Sequence, residues 1–144
     1  MERPGESLTH GPVTLRRWRA ADTETICDLV LGSLGHLRPW MSWAAEFGPQ
    51  DAAQFTEQCE RDWEAGSAFN YAIISGGAAA AALVDAAFGL PGIDRVEIVH
   101  DEANIASSGV PRKLGFAEIA RRPRPDGPQA PAESGTDVVW RLTR

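Results

Sequence analysis

Apolar positions in this chain switch between a two-residue and a helical period, and each switch marks an element. Residues 12–18 set Val13, Leu15 and Arg17 against Thr14, Arg16 and Trp18, the alternation of a strand near a sheet edge. Ile26, Leu29 and Val30 then recur at helical spacing to about Leu31, with Asp22 as the cap and Gly32 as the stop. Residues 34–47 mix Gly, Pro and aromatic residues, which predicts a structured loop or a broken helix. Asp51 opens a second helix that spaces Phe55, Cys59, Asp62 and Trp63 along one stripe and ends at Gly66.

The second half alternates strand and helix. Residues 69–75 read as a strand, and Gly76-Gly77 leads directly into a helix over residues 78–88, whose five alanines permit close packing on a sheet. Residues 93–99 form a β-branched run, read as a buried strand that enters the segment Asn104-Ile105-Ala106-Ser107. A short helix follows and ends near Leu114 and Gly115. Pro111 conflicts with a regular helix starting at Asn104, so the helix either starts late, near Ser107 or Ser108, or kinks. Residues 116–121 and 136–142 are strands, separated by a loop over 123–135 rich in Pro and Gly. The pattern is that of an α/β protein, a mixed sheet flanked by helices. Asn104 and Ser107 fall at a strand's carboxyl end, where such folds place ligands.

Composition narrows the class. A chain of 144 residues, 43% hydrophobic, has room for one core, so a single domain spanning 1–144 is expected. A net charge of −6 disfavours nucleic acid as a partner. The one basic cluster, Arg121, Arg122 and Arg124, is broken by prolines and reads as a solvated loop. Cys27 and Cys59 lie in helical patterns without metal-type spacing, so two buried thiols and no metal are expected. No segment approaches the roughly 18 apolar residues of a membrane span, and residues 1–5 lack a signal-peptide core. A cytoplasmic protein with no membrane partner is the expectation.

Several segments together resemble the Gcn5-related N-acetyltransferase superfamily, in particular the branch that acetylates ribosomal-protein N-termini. Arg95-Val96-Glu97-Ile98 before Asn104-x-x-Ser107 and Leu114-Gly115-Phe116 is similar to that branch's strand, ligand turn and following strand. Leu15-Arg16-Arg17-Trp18 with Ala20-Ala21-Asp22 resembles its first strand and helix start. The stretch from His36 through Trp40 and Trp43 to Ala44 resembles its acceptor-side loop, and residues 137–143 its last strand. The resemblance covers nearly the whole chain. It implies acetyl-CoA as cosubstrate and a primary amine or peptide N-terminus as acceptor, with direct transfer between them.

One piece of the family pattern is missing. Acetyltransferases of this type place two antiparallel strands before the alanine-rich helix, and the second ends in a basic, glycine-rich turn that holds the coenzyme A pyrophosphate. Here the 69–75 strand runs straight into the helix, an internal deletion near 74–77 of about 25 to 40 residues. Removing two antiparallel strands preserves strand direction. The 69–75 strand is therefore expected to move into the vacated slot, pairing in parallel with 93–99 through a right-handed crossover. The alternatives are a non-catalytic remnant serving as a binding module and a chain whose sheet is completed by a partner, a homodimer among them.

Each candidate residue has a chemical and a structural reading. By the resemblance, Ser107 lies near the coenzyme A sulfur and could protonate the leaving thiolate; otherwise its hydroxyl caps the helix. Asn104 would bond the pantetheine side, or serve as an ordinary N-cap. Gly76, Gly77 and Ala78 would offer backbone N–H groups to the pyrophosphate, and Arg112 its charge. Glu97, among apolar neighbours, could be a base raised by burial, or an ion-pair partner of Arg95 or Arg112. Trp40 and Trp43 would wall the acceptor, or form a satellite core. His36 and His100 pair with no nucleophile or metal pattern and read as surface or structural groups.

Overall fold

The computed structural model describes residues 2–75 and 79–144. In chain order its main elements are β1 (Ser7–His10), β2 (Val13–Arg17), α1 (Thr23–Leu31), α2 (Leu34–Leu37), α3 (Pro49–Ala65) and β3 (Tyr71–Ser75). Then follow α4 (Ala79–Gly89), β4 (Arg95–Asp101), α5 (Gly109–Lys113), β5 (Ala117–Pro123) and β6 (Thr136–Thr143). They fall into two compact units, one of residues 1–32 and 46–92, the other of residues 33–45 and 93–144.

In the first unit β2 lies between β1 and β3, antiparallel to both. The pattern put β2 near an edge, and it lies beside the edge strand β1, whose single strongly apolar residue, Leu8, gave no alternation to detect. Gly11, at φ 56°, supplies the left-handed backbone of the tight β1–β2 connection. The inward side chains Val13 and Leu15 are buried against Ala82 of α4, with Leu8, Tyr71 and Ala79 around them. A methyl side chain at Ala82 lets the helix approach β2 closely, as the alanine run implied.

Asp22 stands at the N-cap position of α1, as expected, but its side chain makes no cap bond there. Its carboxylate accepts the Arg19 backbone N–H at 2.8 Å and both terminal nitrogens of Arg16, closing a 3-10 turn over Ala20–Asp22 first. In α3 the proline at the first position sets the start, Asp51 accepts the Gly48 N–H, and Gly66 ends the helix at φ 72°. Its buried stripe is Ala52, Thr56, Cys59 and Trp63, while Phe55 stays partly exposed, edge-on to Trp18. Both thiols are free and buried, and burial pushes Cys59 above its ordinary value.

The second unit is an antiparallel sheet in the order β4–β6–β5. β4 pairs with β6 over seven residues, from Arg95 opposite Thr143 to Asp101 opposite Asp137. The expected parallel pair does not form: β3 is paired with β2, β4 with β6, and no ladder joins β3 to β4 among the described residues. The ladder to β2, together with Tyr71 edge-on to Trp63, holds β3 in the first unit. Nor is β4 fully buried, since Arg95, Glu97 and Val99 are exposed on one face.

A loop joins β5 to β6 and closes at Gly135, whose φ is 87°. A Cβ there would meet the Pro128 nitrogen at 2.7 Å. Gly135→Ala is therefore expected to cost at least about 2 kcal/mol, from left-handed strain plus backbone overlap, read as a lowered thermal midpoint. Among the described residues no helix is long and apolar enough to cross a membrane.

Candidate functional site at the end of β4

β4 ends in Asp101, and the turn beyond it is organised by that side chain. Its carboxylate accepts the backbone N–H groups of Ala103, Ser134 and Gly135, each at 2.9 Å, and an Arg124 guanidinium N–H at 2.8 Å. Burial alone would push the carboxyl up. The Ser134, Ala103 and Gly135 donors outweigh it and hold the pKa at about 2. A single carboxylate thus ties the turn after β4 to the loop before β6. The sequence reading missed it, although an acidic residue closing an apolar strand ahead of a candidate ligand turn was the available signal.

Asn104 and Ser107 follow on a 3-10 turn over Ile105–Ser108. The Asn104 side chain accepts the Ser107 backbone N–H at 3.4 Å, the N-cap role. Ser108, not Ser107, turns its hydroxyl back to the Ile105 carbonyl at 2.7 Å. The Ser107 hydroxyl makes no hydrogen bond among the described residues, so its capping reading is not what the structure contains. Helix α5 starts late, at Gly109, which places Pro111 third in the first turn, where the missing N–H has no helical acceptor to lose.

Glu97 departs from its expected chemistry. Its side chain lies directly across from Arg141 and accepts two guanidinium N–H bonds, at 2.9 and 2.5 Å. Arg141, with weaker help from Arg95 and Arg122, holds the carboxyl below its ordinary value, against the rise expected from burial. The cause is the exposed alternate face of β4, which the run of apolar letters concealed. The partner is Arg141, neither Arg95 nor Arg112.

Two of the three arginines of the basic cluster are likewise paired, and Arg121 and Arg122 stand on β5 and not in the expected loop. Arg121 bonds Glu118 at 2.7 Å and lies 3.5 Å from Glu102; Arg124 reaches Asp101 and Glu133. Arg112 instead lies over the Trp140 ring, 5.6 Å from its centroid. His100 accepts the Trp140 indole N–H at its Nε2 (2.9 Å), and its Nδ1 faces the Asp101 carbonyl at 2.8 Å, which fixes the neutral Nδ1–H tautomer.

The acceptor-side loop belongs to this same unit. α2 and a 3-10 turn over Ser42–Ala44 form the broken helix, and the Pro39 carbonyl accepts the Ala132 N–H at 2.8 Å from the β5–β6 loop. Trp40 is half-buried there, whereas Trp43 is 52% exposed. Gly76, Gly77 and Ala78 lie outside the described residues. The flanking elements show that only these three residues separate β3 from α4, and that the first turn of α4 carries no charged side chain. Among the described residues no cluster of His, Cys, Asp or Glu could hold a metal ion.

No protein-family profile matches this chain, and no curated protein matches it. Solved structures do. A microcin self-immunity acetyltransferase, MccE, in complex with acetyl-CoA and AMP, superposes with a TM-score of 0.75 at 13% identity, covering 94% of each chain. The ribosomal-protein-alanine acetyltransferase of Vibrio fischeri gives 0.70 at 16% identity, covering 95% of this chain and 96% of its own. The ribosomal-protein α-N-acetyltransferase RimL, bound to coenzyme A, gives 0.74 at 12% identity, covering 96% and 98%. At these identities the likeness establishes the fold. The chain has the fold of the Gcn5-related N-acetyltransferases, with solved ribosomal-protein acetyltransferases among its structural neighbours.

Proposed function

We propose that this protein is a cytoplasmic N-acetyltransferase that passes acetyl from acetyl-CoA directly to a primary amine, either a protein N-terminus or a small amine. The observation that carries the reading is the turn after β4. In a fold shared with acetyltransferases, it holds Asn104 in the cap position and leaves the Ser107 hydroxyl without a hydrogen bond among the described residues. Acetyl-CoA would supply an activated thioester, whose C–S bond breaks as the amine nitrogen forms the new C–N bond. Ser107 is assigned the proton donated from its Oγ to the departing sulfur, which it recovers from the nitrogen as the amide forms, and Asn104 the pantetheine contact. Trp40 and Trp43 are assigned the acceptor wall, on the loop tied to the β5–β6 connection. With Glu97 committed to Arg141, the amine must arrive already deprotonated.

A second reading, a binding module without catalysis, draws support from the three-residue connection between β3 and α4. It leaves no basic turn to face a pyrophosphate. Titration calorimetry with acetyl-CoA, followed by acetyl transfer to a panel of peptides and small amines, separates the two. The enzyme reading expects binding and transfer, and the module reading expects no transfer to any acceptor. Absence of heat at millimolar acetyl-CoA would remove the cosubstrate from both.

A further inference from the structure

We propose that the cleft between helix α5 and the β4–β6–β5 sheet is a second ligand site, built for a small flat molecule that carries a carboxylate or phosphate. The cleft has a volume of about 290 Å³. That is at the low end for ligand cavities and too small for a cosubstrate the size of acetyl-CoA. Its floor is apolar and aromatic, made by Val138 and Trp140, which are 2% and 5% exposed. His100 extends that floor: its ring stacks near the Trp140 ring, 23° from parallel, and the hydrogen bond between them fixes both.

Counted with Glu118, which accepts from Arg121 at 2.7 Å and lies opposite Trp140, the charges around the cleft balance. Arg112 and Arg121 contribute two positive charges and Glu102 one negative, while His100 is neutral in the tautomer that its bonds require. Arg121 is already bonded to Glu118 and lies beside Glu102. Arg112 has no carboxylate within ion-pair distance among the described residues, and the Trp140 face holds its guanidinium at the rim. Such a fork is pre-organised to take an oxyanion in two parallel bonds, with the body of the ligand in the cleft beside the His100–Trp140 pair. The inference stands independently of acetyl transfer.

The test follows the Trp140 indole N–H by NMR while the full chain is titrated with phenyl phosphate, benzoate and inorganic phosphate. That proton sits in the floor, bonded to His100, so occupancy moves its resonance. Saturable shifts are expected with both aromatic anions, at lower concentration than with inorganic phosphate. Arg112→Gln should weaken phenyl phosphate binding by about 10- to 100-fold, the range for a charge-assisted pair. Arg122→Gln, on the opposite face of the same sheet, should leave it unchanged, and saturating coenzyme A should not displace the probe. The proposal fails if no saturable shift appears, if inorganic phosphate binds as well as phenyl phosphate, if the two variants behave alike, or if coenzyme A competes.

Discussion

Ser107→Ala should lower acetyl-transfer turnover by about 10²- to 10⁴-fold, the usual contribution of a general acid, while leaving acetyl-CoA binding nearly unchanged. Thermal stability should move by no more than about 0.5 kcal/mol, because the hydroxyl that bonds the turn belongs to Ser108 and the capping acceptor to Asn104. Asn104→Ala provides the contrast, with an expected loss of about 0.5 to 2 kcal/mol of stability from the missing cap. Steady-state kinetics and a thermal melt on each variant are sufficient. Full turnover in Ser107→Ala would take the proton away from this residue and leave the fold assignment intact.

The largest stability effect is expected at Asp101. Truncation to alanine leaves the Ala103, Ser134 and Gly135 N–H groups without their acceptor and takes from Arg124 one of its carboxylate partners, Glu133 remaining. The expected loss is about 3 to 5 kcal/mol, a fall of roughly 10 to 20 °C in the midpoint for a chain of this length. The pH dependence has a definite sign. Folding depresses this carboxyl from its ordinary 3.8 to about 2, so its contribution is fully present above pH 4 and is lost as pH falls through 2. Linkage puts that contribution at about 2 kcal/mol. Asp101→Asn keeps one acceptor oxygen, should destabilise less than alanine, and should flatten the acid limb between pH 4 and 2. An unchanged acid limb in the asparagine variant would show that another group controls it.

Periodicity made most elements legible, because burial on one face writes itself into spacing. It failed where burial was not the cause of the structure. β1 forms as the hairpin partner of β2 around Gly11, with one large apolar side chain and no alternation to read. β4 looked buried because Val96, Ile98 and Val99 run nearly together, yet its Arg95, Glu97 and Val99 face is open. That misreading carried over to Glu97, whose chemistry depends on Arg141, a residue 44 positions away that only the ladder reveals. The parallel pair of β3 and β4 was argued from strand direction alone. Direction permits a pair without supplying one, and the antiparallel ladders to β2 and β6 are what formed. At the site, Asn104, Ser107 and Pro111 were locally readable because caps and first turns are local chemistry. Asp101 was not, since its partners come from the other end of the unit.

The order β4–β6–β5 also dictates a sequence in time. The middle strand of the second sheet is the last of the three to leave the ribosome, and among the described residues β4 and β5 have ladders only to it. Until β6 emerges, neither flanking strand has a hydrogen-bonded neighbour within this sheet, and the loop donors of Asp101 at Ser134 and Gly135 emerge only just ahead of it. The first unit's β1–β2–β3 sheet carries no such delay. Synthesis should therefore pass through a stage with the first sheet formed and the second still open, its β-branched β4 without a partner strand.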